Sequence, residues 1–101
     1  LELATQAAAS GKPQALDTLG WVHYKMGNLE LALENLNQAW EQQQGNPDIA
    51  YHLAVVLKES QDRDRAREVL DQLLQIRDQE DVGQKVRDLY VQLGGQVSGQ
   101  K

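Results

Sequence analysis

The chain has 101 residues, enough for one domain with a single core. Its 41% hydrophobic and 25% charged residues are ordinary for a globular domain, and its formal net charge of −5 disfavours nucleic acid and anionic membrane surfaces as partners. The absence of cysteine excludes disulfides and thiolate metal sites, and no apolar run approaches the length of a membrane span, so this fragment is not expected to insert into a membrane.

The first half of the chain predicts three helical segments. Residues 1–9 indicate the end of a preceding helix. Pro13 suits a first helical turn, and Gly27 is a natural left-handed stop for the helix that follows it. Asn28 can then cap a helix over about 29–43. The spacing of apolar and small residues assigns one face of the first helix to packing: Leu16, Leu19, Gly20 and His23.

The second half repeats this pattern. Pro47 opens a helix over about 48–60, and Asp62 caps a helix over about 63–77. A last amphipathic helix over 80–93 is predicted to cap the C-terminal end. Residues 1–94 are therefore expected to form one domain, followed by a flexible tail over 95–101.

Matching residues recur every 34 positions. Pro13 aligns with Pro47, and small Gly20 aligns with small Ala54. The units are residues 13–46 and 47–80, and helix 80–93 does not continue their register. Because a repeat at this period is one supersecondary unit, each unit is expected to be a pair of antiparallel helices.

The two units share a motif. The first reads Leu16-x2-Leu19-Gly20-x2-His23 and then Ala32-x3-Leu36; the second reads Ala50-x2-Leu53-Ala54-x2-Leu57 and then Ala66-x3-Leu70. This pattern resembles the tetratricopeptide repeat, although Gln44 and Asp78 replace its closing proline and Gln61 replaces its inter-helix glycine. The resemblance implies an all-α fold, a fragment of a right-handed solenoid of antiparallel helical hairpins.

A second resemblance concerns two short strings. DTLGWVHYKMG and YHLAVVL look like bacterial repeat proteins of the cell envelope, including lipoproteins linked to exopolysaccharide export. On that basis the bacterial envelope or periplasm is favoured over the cytoplasm as the location.

No catalytic or metal-binding pattern is recognisable. The serines have no His and acid at helical spacing, and His23 and His52 belong to different predicted helices without a metal-ligand motif. The acidic residues around Arg63, Arg65 and Arg67 indicate a solvated charged face. The chain is therefore expected to be non-enzymatic and to use no cofactor or metal.

The remaining face of each first helix is the candidate binding surface. In the resembled family the first helices line a concave groove, which implies a partner-binding set for a protein or peptide: Asp17, Trp21, Tyr24 and Lys25 in the first unit, and Asp48, Tyr51, Val55 and Lys58 in the second. In the competing interpretation, Trp21 and Tyr24 pack on residues 1–9 or on Tyr51 and serve only stacking. Trp40 continues a core stripe and is assigned to the core.

The predicted function is a non-catalytic scaffold for protein–protein interaction. The lysine–asparagine clamp that some members of the resembled family use for chaperone C-termini is absent, because Asp17, Thr18 and Trp21 occupy that helix. The alternative is a self-assembly module that forms homo-oligomers through its apolar ends. The candidate end residues are Leu1, Leu3 and Ala4 at one end and Leu89, Tyr90 and Leu93 at the other.

Overall fold

The computed structural model describes residues 11–95, which consist of helices joined by short turns. The predicted helix over 1–9 and residues 96–101 of the predicted tail lie outside the described residues. The helices within 11–95 are α1 (Pro13–Lys25), α2 (Leu29–Gln42), α3 (Pro47–Glu59), α4 (Arg63–Ile76) and α5 (Gln84–Gln92). The predicted all-α helical-hairpin fold is confirmed.

Two helical hairpins stack side by side. α1 packs mainly on α2, α3 packs mainly on α4, and α2 joins the hairpins by packing on α3. α5 then packs on both α3 and α4. This order leaves one side of α3 between α1 and α5, which is where the candidate site lies.

The turns inside the two hairpins have the same geometry despite their different sequences. At the end of α1, the Gly27 N–H donates to the Tyr24 carbonyl at 3.0 Å and the Asn28 N–H donates to the His23 carbonyl at 2.8 Å. The corresponding turn after α3 repeats both hydrogen bonds, with Gln61 in the place of Gly27. Gln61 has a φ of +66°, a left-handed conformation that favours glycine. The missing glycine therefore leaves the turn in place and adds local strain.

The helix caps differ in part from expectation. The Asn28 side chain accepts no hydrogen bond from α2; its amide nitrogen instead lies 3.5 Å from Nδ1 of His23. Asp62 caps α4 by accepting from the Arg65 N–H at 3.4 Å. Asn46, which the sequence pattern did not single out, caps α3 by accepting from the N–H groups of Asp48 at 3.0 Å and Ile49 at 3.3 Å.

Gly20 of α1 lies directly against α2. A methyl group placed on Gly20 would lie 2.7 Å from Cγ of Leu36 and 3.2 Å from the Ala32 carbonyl oxygen. Leu36 and Ala32 are both fully buried. The glycine therefore allows the first hairpin to close at a distance that any larger residue would oppose.

The core runs continuously through the described residues. It contains buried apolar residues of all five helices, together with Val82 and Leu93, which flank α5. Trp40 is buried in this core, as predicted, and its indole N–H donates to Oε1 of Gln72 at 3.2 Å. This hydrogen bond satisfies the polar atom that burial of the indole would otherwise leave unpaired.

The last helix is shorter than the predicted range 80–93. It begins only at Gln84, because Gly83 has a φ of +91° and a turn bonds the Asp81 N–H to the Asp78 carbonyl at 3.0 Å. The suggestion that Leu89, Tyr90 and Leu93 are exposed for pairing between chains is wrong. α5 turns its apolar side onto the core, Leu89 and Leu93 are 6% and 5% exposed, and the Tyr90 hydroxyl donates to Asp71 of α4.

Candidate functional site

A cavity of about 440 Å³ lies on the side of α3 that faces away from α4, between α1 and α5. We call it the α1–α3–α5 groove, defined by its lining residues: Tyr24, Tyr51, Val55, Lys58, Glu59, Lys85, Asp88, Leu89 and Gln92. Four of the predicted partner-binding residues, Tyr24, Tyr51, Val55 and Lys58, line it together. The structure therefore joins residues of both repeats and of the last helix in one concavity.

The apolar part of the groove consists of Tyr24, Tyr51, Val55 and Leu89. The two tyrosines and Val55 are half-buried and rest against the core, whereas Leu89 is almost fully buried beneath them. Burial raises the pKa of Tyr24, and the nearby Glu59 carboxylate and Tyr51 raise it further. Tyr24 is therefore a neutral phenol at physiological pH, and its ring and hydroxyl can both contact a ligand.

Lys58 of α3 and Lys85 of α5 line the groove, and Lys25 of α1 lines the cavity that adjoins it. Nζ of Lys85 lies 4.9 Å from the centre of the Tyr51 ring, and Nζ of Lys25 lies 5.3 Å from the Trp21 ring and 5.8 Å from the Tyr24 ring. Lys58 donates to Oε1 of Gln92 at 3.3 Å. Ammonium groups over aromatic faces are weakly favourable at exposed sites, and here they keep cationic groups beside the aromatic surface.

Asp48 lies at the rim of the groove. Its side chain is 74% exposed, and one carboxylate oxygen lies 3.9 Å from Nζ of Lys85. A pair at this separation and exposure contributes little to stability. Both side chains therefore remain accessible to a partner.

Asp17 and Trp21 occupy a different place from the one predicted. They do not line the groove; they join α1 to α3 through His52. Nδ1 of His52 lies 2.8 Å from Oδ1 of Asp17, and the His52 ring stacks on Trp21 with a centroid distance of 4.3 Å. Trp21 in turn packs on Tyr24 at 4.8 Å. The aromatic contacts of Trp21 are therefore with His52 and Tyr24, whereas the competing interpretation named Tyr51 and residues 1–9, and the latter lie outside the described residues. Tyr24 has both a contact with Trp21 and a position in the groove.

Sequence reasoning missed His52 and the residues of α5. The signal for His52 was present: it lies 35 residues after Asp17, one repeat and one residue later, on the neighbouring first helix. The contribution of Lys85, Asp88 and Gln92 had no comparable signal, because α5 does not continue the 34-residue register. Only the packing of Val86 and Leu89 orients α5 so that these polar residues face the groove.

Two other cavities help to delimit the site. One of about 400 Å³ adjoins the groove, shares Tyr24 and Glu59 with it, and extends it past Lys25 to Leu29. A larger one of about 770 Å³ lies at the other ends of the helices, between the loop after α2 and the loop after α4. Its lining is mostly polar side chains and loop backbone without an aromatic ring, so the groove offers the better surface for an apolar anchor.

Within residues 11–95, no three His, Asp or Glu side chains are grouped as a metal site, and no helix has the length and hydropathy needed to cross a membrane. The chemistry that the groove does offer is aromatic and aliphatic surface bordered by charges of both signs. That combination suits the recognition of a polypeptide segment.

A comparison with protein families finds a match to the tetratricopeptide repeat over residues 23–89. No curated protein matches the chain, so the resemblance to envelope lipoproteins has no support. Tetratricopeptide repeats generally mediate protein–protein interaction. Because the match covers more than half of the 101 residues and the helical hairpins agree with it, the chain belongs to the tetratricopeptide repeat family.

Proposed function

We propose that the chain is a non-catalytic interaction module that binds a peptide segment of a partner protein in the α1–α3–α5 groove. The observation that carries the proposal is the convergence of Tyr24, Tyr51 and Val55, from two repeats, in one cavity with Leu89 of α5. Aromatic side chains supply large contact area at low entropic cost, which makes them frequent anchors of binding energy.

The shape of the groove favours a peptide. The groove continues through Tyr24 and Glu59 into the adjoining cavity, so a ligand can lie across α1, α3 and α5. Such a path suits a chain with side chains at regular intervals. A rigid helical scaffold would change shape little when such a segment binds.

The charged side chains of the groove would fix the position and direction of a bound peptide more than they would raise its affinity. Lys58 and Lys85 stand on the groove with Glu59 and Asp88, so the lining carries two cationic and two anionic side chains. Neither Glu59 nor Asp88 has a cationic partner within 4 Å among residues 11–95. Charges of this kind orient a partner and discriminate against wrong ones more than they add affinity.

The proposal can be tested by selecting peptides from a displayed random library on the whole chain and mapping the best one by NMR. We expect the amide shift changes to concentrate on α1, α3 and α5 around Tyr24, Tyr51 and Val55. The matched control region is the larger polar cavity around Ile76, whose side chain is 55% exposed. Shift changes that centre on Ile76 and leave the groove unaffected would refute the groove as the binding site.

A further inference from the structure

We infer that His52 is a positioning residue that sets the geometry of the α1–α3–α5 groove by bracing α1 against α3. The inference rests on the proposed function, because it assigns to His52 a role in presenting the surface that binds the peptide. His52 itself does not line the groove. It acts through Asp17 and Trp21, which it contacts on the far helix.

The brace has two points of attachment. One is the hydrogen bond between Nδ1 of His52 and Oδ1 of Asp17 at 2.8 Å, and the other is the stack of the His52 ring on Trp21 at 4.3 Å. Asp17 and Trp21 are four residues apart and therefore lie one turn apart on the same side of α1. Contacts on two successive turns hold this side of α1 toward α3 and oppose small rotations of α1 that its packing on α2 would allow.

The brace lies in a partly dehydrated place. The His52 and Asp17 side chains are only 22% and 15% exposed. A hydrogen bond to a carboxylate is stronger there than at an open surface, because fewer water molecules compete for either group. α1 and α3 otherwise have little direct contact, since each helix packs mainly on the second helix of its own hairpin. The overall placement of the two helices is set by α2, which packs on both of them, and His52 adds a direct side-chain connection between α1 and α3 beside the groove.

The brace leads directly to the groove. Trp21 packs on Tyr24 with ring centres 4.8 Å apart, and the ring centre of Tyr51 lies 6.1 Å from that of His52. Tyr24 and Tyr51 are the aromatic residues with which α1 and α3 line the groove. A rotation of α1 that followed loss of the brace would move Tyr24 relative to Tyr51 and alter the shape that the peptide meets.

Three substitutions of His52 distinguish the contribution of the hydrogen bond to Asp17 from that of the ring contact with Trp21. His52→Leu removes both of them; His52→Asn keeps an amide N–H near the position of Nδ1 and loses the ring; His52→Phe keeps a ring over Trp21 and loses the hydrogen bond. For a groove-selected peptide we expect His52→Leu to weaken binding about tenfold, and His52→Asn and His52→Phe each to recover part of that loss. In the free protein, the orientation of α1 relative to α3, measured from amide residual dipolar couplings, should change most in His52→Leu.

The control is Leu74→Ala, which removes a partly buried core side chain of α4 that has no part in the brace. It should lower the melting temperature while leaving the peptide affinity and the orientation of α1 relative to α3 as in the wild type, measured where each variant is folded. Wild-type affinity and an unchanged helix orientation in His52→Leu would overturn the inference, as would an equal loss of affinity in Leu74→Ala. If the peptide does not bind the groove at all, the proposed function fails and the helix orientation alone decides whether His52 positions α1.

Discussion

Gly20→Ala measures how tightly the first hairpin is closed. In an exposed helix interior this change stabilises by about 1 kcal/mol, because alanine is the better helix former. Here the new Cβ would lie 2.7 Å from Cγ of Leu36, and Cγ is a branch point that cannot swing aside as a chain end could. Overpacking of a filled core costs about 1–3 kcal/mol. The net expectation is a loss of about 0–2 kcal/mol in the free energy of unfolding, and Gly20→Leu should lose about 1–3 kcal/mol.

A double-mutant cycle with Leu36→Ala isolates the steric term. Leu36→Ala alone should cost about 2–5 kcal/mol, because it empties a fully buried site. In that background the contact with Leu36 is gone and only the 3.2 Å approach to the Ala32 carbonyl oxygen remains, so Gly20→Ala should stabilise by up to about 1 kcal/mol. The predicted coupling between the two changes is therefore about 1–3 kcal/mol and reverses the sign of the Gly20 effect.

The assay is urea unfolding followed by far-ultraviolet circular dichroism, with the four proteins of the cycle under one buffer condition. Ala54, one repeat after Gly20 and fully buried, supplies the matched control. Ala54→Gly should destabilise by about 1–2 kcal/mol, because it removes a packed methyl group and weakens the helix. The reasoning is refuted if Gly20→Ala stabilises the wild type as much as it stabilises the Leu36→Ala protein.

Three further predictions concern helix ends and pH. Gln61→Gly should raise the free energy of unfolding by about 0.5–1 kcal/mol in urea, because relief of the left-handed strain exceeds the cost of the added unfolded-state entropy. Gly27→Ala at the equivalent turn should lower it. A change of the same sign in both variants would contradict this. Asn46→Ala should cost about 1 kcal/mol by removing the cap of α3, and an unchanged midpoint would exclude that role. The hydrogen bond to Asp71, and after it burial, raises the pKa of Tyr90 above its usual value. The stability that neutral Tyr90 contributes is therefore present below about pH 10 and is lost as the pH rises through the folded-state pKa. In alkaline unfolding titrations the wild type should lose more stability than Tyr90→Phe, and parallel losses would contradict the assignment.

The helical-hairpin fold could be predicted from the sequence because its signals are local and repeated. Pro13 and Pro47 mark the first turns, and the buried positions follow the helical period. Gly20 was interpretable for the same reason, since its small size matches Ala54 one repeat later. Asn28 occupies the predicted N-cap position, but its side chain makes no capping hydrogen bond because it turns toward His23 instead.

The candidate site was less predictable because it depends on how helices from different parts of the chain meet. Helical spacing placed Tyr24, Tyr51, Val55 and Lys58 on suitable faces, and these four line the groove. The 35-residue spacing puts Asp17 and His52 on neighbouring first helices, but spacing alone could not show that the two side chains would meet. That outcome depends on the distance between α1 and α3, which only the packed structure supplies.

The last helix shows the same limit. Its apolar residues and its capping position could be recognised, but not the helices that it packs on, and so Leu89, Tyr90 and Leu93 were also candidates for a contact between chains under the self-assembly alternative. The chain instead covers them itself by folding α5 onto α3 and α4. The same packing turns Lys85 and Asp88 toward the groove, a placement that the sequence pattern did not indicate.

The most direct test of the account is the dissociation constant of a library-selected peptide for Tyr51→Ala compared with Ile76→Ala, measured by titration calorimetry. Tyr51 supplies an aromatic face in the groove, whereas Ile76 is a similarly truncatable apolar residue at the larger polar cavity. The account predicts that Tyr51→Ala weakens binding by about tenfold or more and that Ile76→Ala leaves it unchanged. Equal affinities for wild type and Tyr51→Ala, with circular dichroism showing both proteins folded, would contradict the central claim.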